Sequence, residues 1–269
     1  MDYDIVILGA TCAALGLAAG LPADARTLLL EPTAMVGAEF IHAFRPGSDW
    51  PEQADSAPAQ AILAAMRREQ LFQDGDCRIY SAGAIFCDAC RQLTADLLLE
   101  TDLVARTRTQ AGFDLPICNT HGFSQIKTRS VIDTTAAGLT PAPKSLNAIL
   151  AARQPNPDTP VNVAGVTFRR ENDPLTPTVL MKLTCKPDES IFAARHRLIE
   201  CWQAMAADWP DWRIATIALA FDRTPAQPGM LTESLSQPEP GFYCLPSAGF
   251  ANPLAAIDAG YRWGKGWSR

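Results

Sequence analysis

The sequence predicts an α/β protein: a parallel sheet in the first half and a smaller α+β part in the second. Three observations carry this. Tyr3–Glu31 reads as strand, turn, helix, strand and acid; residues 102–134 read as successive short strands; and after a proline-rich break, strands flank one long amphipathic helix.

The opening stretch organises the rest. Ile5-Val6-Ile7-Leu8 is too short and too β-branched for a helix. Gly9 breaks the run, and Ala13 to Leu21 has helix-forming composition. A turn at Pro22-Ala23-Asp24 leads to a second apolar run, Thr27 to Leu30, ending on Glu31. A parallel strand pair needs a crossover, which the helix supplies. The helix N-terminus then presents bare N–H groups where a pyrophosphate can sit, and the acid can accept hydrogen bonds from a ribose. This is the order of a Rossmann-like, dinucleotide-binding βαβ unit.

The glycine pattern of such units is altered. It reads Gly9-Ala10-Thr11-Cys12-Ala13-Ala14, and only the first glycine is kept. Thr11 stands where the backbone must approach phosphates, adding bulk and a hydroxyl. Ala14 stands where helix and strand pack. An ordinary βαβ unit without ligand satisfies the same residues, so both readings stay open at this point.

Four stretches, in order, resemble FAD-dependent oxidoreductases of the glutathione-reductase-type fold. They are YDIVILGATCAALGLAAGL; LLLEPTAMVGAEF, with Glu31-Pro32 and Val36-Gly37-Ala38; Val131 to Gly138 (VIDTTAAG); and Leu245 to Leu254 (LPSAGFANPL). The resemblance implies FAD as cofactor and a β-meander crossover that returns to the parallel sheet. It also implies a small α+β substrate domain. By it, Gly9, Ala10, Thr11, Cys12, Ala13, Ala14, Glu31 and Pro32 hold the dinucleotide's adenosine and pyrophosphate. Val104 stands where a backbone group holds adenine. Thr134 and Gly138 approach the pyrophosphate, and Asn252, Pro253 and Leu254 open a helix aimed at the flavin. Ala136-Ala137 and Ala38 replace the family's Gly-Asp and second glycine. Enzymes of the family are considerably longer, so this sequence reads as a shortened version with degenerate glycine motifs.

Between these matches, Thr33 to Pro58 lacks sustained periodicity and reads as a long loop holding Glu39, His42 and Arg45. His42 and Arg45 are the candidate catalytic residues, with surface or phosphate-binding roles as alternatives. Ala57 to Leu71 reads as a helix with Ile62, Leu63, Met66 and Leu71 on one face, and Cys77 to Phe86 as a strand. Asp88 would cap a helix reaching Leu99. Cys87-Asp88-Ala89-Cys90 is a lone CxxC, either a redox dithiol at a helix start or a packing pair; a zinc site needs a second pair. Asp102–Thr109, Phe113–Thr120, Ser124–Thr128 and Ser130–Thr134 read as short strands.

Pro141, Pro143, Pro155, Pro157 and Pro160 mark a boundary, placed near Pro155, around an expected helix Leu146–Arg153. Residues 1–154 form the expected FAD-binding part, 155–240 the substrate part and 241–269 the return. In the second part, Val161–Arg170, Thr178–Lys186 and Trp212–Phe221 read as strands. Asp188 to Ala207 reads as a helix capped by Asp188, with Ile191, Ala194, Leu198, Ile199, Trp202 and Met205 on its packed face. Gly241–Leu245 reads as a strand, Ala251–Trp263 as a helix and the last residues as a frayed tail.

Composition bounds the function. A net charge of −6 argues against a nucleic-acid role, and no apolar run is long enough for a membrane span. The chain enters a strand without a basic leader, so no signal peptide is read and a cytoplasmic location is expected. The eight cysteines are scattered and read as thiols. No metal site is read. The leading expectation is a FAD-dependent oxidoreductase acting on a small molecule, with a protein partner or homo-oligomer left open. The alternative is a degenerate, non-catalytic relative acting through a partner protein. A plain NAD module also suits Glu31, but the C-terminal match argues against it.

Overall fold

A computed structural model of the chain describes residues 2–73, 76–136, 143–154, 157–171, 177–223 and 236–267. Its first elements are β1 (Tyr3–Leu8), α1 (Cys12–Gly20), β2 (Thr27–Leu30), α2 (Ala38–Ile41), α3 (Ala57–Arg68), β3 (Phe72–Gln73), β4 (Asp76–Cys77) and α4 (Gly83–Arg91). Strands β5 (Asp96–Leu98), β6 (Asp102–Leu103), β7 (Thr107–Thr109), β8 (Gly112–Asn119) and β9 (Gly122–Asp133) follow. Then come β10 (Lys144–Ala152), β11 (Val166–Glu171), β12 (Thr178–Cys185), α5 (Ile191–Met205), β13 (Trp212–Ile217), β14 (Ser236–Glu239), β15 (Phe242–Cys244) and α6 (Pro253–Lys265).

The first sheet runs β14-β15-β9-β1-β2-β5, and β15, β9, β1, β2 and β5 are mutually parallel. Strand β9 serves two structures. Its first half pairs antiparallel with β8 (Cys118 opposite Phe123), and its second half pairs parallel with β1 (Ile7 opposite Ile132). Strands β6 and β7 also pair with β8, completing the expected meander. Alternation then sorts the two faces. Ile5, Ile7 and Leu29 face the helical core, while Val6, Leu28 and Leu30 join Phe113, Leu115 and Ile117 of the meander.

Helices α1 and α6 touch backbone to backbone. A Cβ added at Gly16 would lie 1.9 Å from the Ile257 carbonyl oxygen, and one at Gly260 would lie 2.0 Å from that of Ala13. The second sheet, β11-β12-β10-β13, is antiparallel and is covered by Ala194, Leu198 and Trp202 of α5. The α/β class, the parallel sheet and the separate smaller unit are thus as the sequence predicts.

Several element assignments are corrected. Leu146–Arg153 is not a helix: Leu146–Ala152 lies in β10, paired on both sides by β12 and β13. Its Ala/Leu composition is helical, but a short apolar run buried on both faces fits a central strand equally well. Of the strand expected over Cys77–Phe86 only Cys77 is in one, at the end of β4; a 3-10 turn, Ile79–Ser81, and the start of α4 follow. Asp88 lies inside α4, which stops at Arg91, and 96–98 form β5. The two strands expected across Ser124–Thr134 are one. Ser190, not Asp188, caps α5 by accepting from the Ala193 N–H. The tail is less frayed than expected, because Trp267 packs edge-on against Tyr243 at 5.2 Å. The boundary at Pro155 lies outside the described residues.

Candidate functional site

The turn after β1 is built as its single glycine requires. Gly9 adopts φ +87°, and a Cβ there would meet Thr11 Cγ2 at 2.9 Å. Thr11 is the N-cap of α1: its Oγ1 accepts from the Ala14 N–H at 3.2 Å and donates to Thr134 Oγ1 at 2.8 Å. Thr134 in turn donates to the Leu8 carbonyl at 2.8 Å. The Thr11 hydroxyl is therefore spent inside the protein.

The N–H groups of Ala10, Cys12 and Ala13 are also spent. Ala10 donates to Glu31 Oε2 at 2.8 Å, and Glu31 Oε1 accepts from the Thr33 N–H at 2.9 Å. Cys12 donates to Glu39 Oε1 at 2.8 Å, and Ala13 donates to Ser247 Oγ at 3.1 Å. Ser247 donates its own proton to Glu39 Oε1 at 2.6 Å. The first three N–H groups of α1 thus end on side chains from three separate segments. Ala10, Cys12, Ala13, Ala14 and Ser247 are all 0% exposed, and Glu31 is 4% exposed.

Glu39 reaches this place because α2 is anchored beside the turn. Gly37, in the left-handed region at φ +73°, donates to the Ala10 carbonyl at 2.8 Å. The residue keeps some exposure, but Glu39 Oε2 is buried and has no hydrogen-bond partner among the described residues. Burial pushes the carboxyl above its ordinary range, and the Ser247 and Cys12 hydrogen bonds oppose that shift. The Cys12 thiol is pushed up by burial and by Glu39.

The closing helix arrives at the same spot. Leu245 donates to the Asp133 carbonyl at 2.8 Å, which carries Ser247 to α1. Asn252 caps α6 by accepting from the Ala255 N–H at 2.9 Å, and donates to the Ser48 and Asp49 carbonyls at 2.9 and 3.1 Å. Pro253 and Leu254 form the buried first turn of α6. The opening turn and closing helix do converge, but protein groups fill the space between them.

Arg45 is buried behind this junction. It donates to the Ala248 carbonyl at 2.6 Å and to the Phe250 carbonyl, and its Nε lies 3.6 Å from Asp222 Oδ1. Burial lowers its pKa, and the Asp222 and Glu39 carboxylates oppose that. His42 is half-buried; its carbonyl accepts from Leu219 and Ala220, and burial lowers the imidazole pKa. Val104 is 55% exposed, and its N–H donates to the Pro116 carbonyl at 2.9 Å. Pro32 is exposed. Gly138 lies outside the described residues.

A cavity of about 260 Å³ opens between the second sheet and the Arg45–Ser48 loop, with Thr167, Arg169, Lys182 and Asp222 on its walls. No residue of the Gly9–Ala14 turn lines it. The CxxC lies in the second half of α4, away from the helix start, with Cys90 in the core and its thiol pushed up to about 11 by burial. That is the opposite of an activated dithiol. All eight cysteines are free thiols.

Glu39 and Ser247 carry more of this geometry than the sequence reading assigned them. The available signal was a carboxylate placed between Ala38 and the apolar Phe40-Ile41, in a loop that the resemblance takes past the flavin.

No protein-family model matches the sequence, and no curated protein does either. Solved structures do. An aromatic hydroxylase from angucycline biosynthesis, CabE, matches with TM-score 0.59 and 13% identity over 91% of this chain and 56% of its own. Aklavinone-11 hydroxylase, solved as a ternary complex with FAD and aklavinone, matches with TM-score 0.57 and 12% identity over 97% and 61%. L-proline dehydrogenase from P. horikoshii matches with TM-score 0.58 and 11% identity over 98% and 92%. At these identities the shared property is the fold, and it is the fold of the oxidoreductases that the sequence resembles. The chain spans less than two thirds of the length of the two hydroxylases. No helix among the described residues is long and apolar enough to cross a membrane.

Proposed function

We propose that the chain is a FAD-dependent oxidoreductase of a small molecule whose dinucleotide site is closed in the conformation described. The reading rests on one observation: β1, the Gly9 turn, α1 and Glu31 meet the Ser247–Gly249 turn that leads into α6, through Ala13 N–H and Ser247 Oγ at 3.1 Å. The fold shared with an FAD-bound hydroxylase supports it. Glu31 and the N-terminus of α1 are of the right kind and in the right order for a ribose and a pyrophosphate. They do not leave room for either, since every one of those N–H groups already has a protein partner. FAD therefore fits this chain by position and not by space, and its entry requires Glu39 and Ser247 to part from α1.

Bound flavin would supply the redox chemistry. The nearby cavity suits the small molecule: its walls carry Arg45, Arg169 and Lys182 against Asp222. These charges favour a ligand bearing negative charge. In this reading His42 and Arg45 serve the catalytic end, with Arg45 a positioning residue through the Ala248 and Phe250 carbonyls.

A second reading follows from the filled groove: a relative that keeps the fold, holds no flavin and acts through a partner protein. Titration of the purified chain with FAD, followed by chemical reduction of the complex, separates the two. Saturable uptake and reversible bleaching of the yellow colour are expected. A chain that takes up no FAD even at millimolar concentration contradicts the oxidoreductase reading.

A further inference from the structure

Glu39 is placed where a dinucleotide phosphate belongs. Its Oε1 accepts the Cys12 N–H at 2.8 Å at the positive end of a nine-residue helix, and takes a second bond from Ser247 at 2.6 Å. A helix N-terminus attracts one anion strongly, so two anions compete for it. Three further observations distinguish this from a routine cap. Thr11 is already the N-cap of α1 and satisfies the Ala14 N–H, so Glu39 is not needed for that role. The second carboxylate oxygen is buried with no hydrogen-bond partner among the described residues, an unfavourable arrangement that the local N–H field must offset. And Glu39 comes from a separate element, α2, which is also tied to the turn by the Gly37 N–H to Ala10 carbonyl bond.

We propose that Glu39 is an internal substitute for the dinucleotide's pyrophosphate: its carboxylate occupies the anion site at the start of α1, closes the groove between the Gly9 turn and α6, and sets how strongly the chain takes up FAD. The proposal rests on the FAD reading for the identity of the displaced ligand, and on geometry alone for the occupied anion site. Ser247 is the second half of the closure, since its hydroxyl joins Ala13 to Glu39.

Two measurements on the full chain test it, using Glu39→Ala and Glu39→Gln beside the wild type. In the first, FAD fluorescence is titrated with each protein. Glu39→Ala is expected to bind about tenfold or more tightly than wild type, because a charged hydrogen bond no longer has to be broken. Glu39→Gln keeps a side-chain carbonyl for Cys12 but carries no charge, so it is expected to bind FAD more tightly than wild type and less tightly than Glu39→Ala. In the second, melting temperature is followed with inorganic pyrophosphate as the probe. Pyrophosphate is expected to raise the melting temperature of Glu39→Ala and to leave wild type unchanged.

Equal, tight FAD binding by wild type and Glu39→Ala overturns the substitute role while leaving the FAD reading standing. Pyrophosphate stabilising only Glu39→Ala, with no FAD bound by any variant, supports the internal anion and overturns FAD as the ligand. A folded Glu39→Ala that gains neither FAD nor pyrophosphate affinity overturns the proposal. If Glu39→Ala does not fold, Glu39→Ser, which retains a hydroxyl for Cys12, is read in the same two assays.

Discussion

The carboxylate of Glu39 and the backbone N–H of Cys12 are joined at 2.8 Å across 27 residues of sequence. That bond ties the short helix α2 to the start of α1, beside the Gly37 N–H bond to the Ala10 carbonyl.

The bond has a pH consequence. Burial raises the Glu39 pKa in the folded chain; Glu31 adds to the rise, and the Cys12 and Ser247 hydrogen bonds oppose it. The Glu39 carboxylate in turn favours the charged form of Arg45 through the electrostatic attraction between them. A carboxyl with a raised folded pKa binds more protons folded than unfolded, so its contribution to stability falls as pH climbs from the ordinary glutamate pKa through the raised one. Wild type is expected to lose melting temperature across that window relative to Glu39→Gln, which lacks the titration. Parallel curves for the two proteins would show that Glu39 is not held in this way.

The α1–α6 contact tolerates no side chain. Gly16→Ala gains about 1 kcal/mol of helix propensity, yet its Cβ would sit 1.9 Å from the Ile257 carbonyl oxygen. Overpacking against backbone costs about 3 kcal/mol, so a net loss of about 2 kcal/mol is expected in urea denaturation. No loss would mean that the helices do not meet along this glycine face.

Arg45 and Asp222 are both almost fully buried, at 4% and 3% side-chain exposure. Removing one partner strands a charge, and Asp222→Ala is expected to cost about 3–5 kcal/mol. Asp222 also holds Lys182 at 2.7 Å, so the loss spreads across the cavity wall. Arg45→Lys is not expected to restore stability, because one ammonium cannot reproduce the fork that reaches both Ala248 and Phe250. Full stability in Arg45→Lys would contradict that geometry.

Asn252 ties the start of α6 to the Ser48–Asp49 loop. Asn252→Ala is expected to cost about 1 kcal/mol as a lost cap and to speed amide exchange in residues 46–50. Unchanged exchange there would show that the loop is held by other contacts.

The sequence made the βαβ unit legible because its signals are local: a β-branched run, one glycine, an Ala-rich helix and Glu31 at the end of a strand. Position Leu146–Ala151 misled because Ala and Leu favour a helix, whereas pairing with both β12 and β13 decided for a strand. The closed groove was not legible for a similar reason. Glu39, Ser247 and Cys12 lie far apart in the chain, and only the fold brings them within hydrogen-bond distance. The altered glycines hinted at a crowded turn, but nothing local to them names the carboxylate that fills it.

The most direct test of the account is a crystal structure of Glu39→Ala grown with FAD. The expected result is a dinucleotide whose pyrophosphate accepts hydrogen bonds from the Cys12 and Ala13 N–H groups, with its adenosine ribose at Glu31. A structure in which FAD is absent, or lies elsewhere while Ser247 still closes α1, would contradict it.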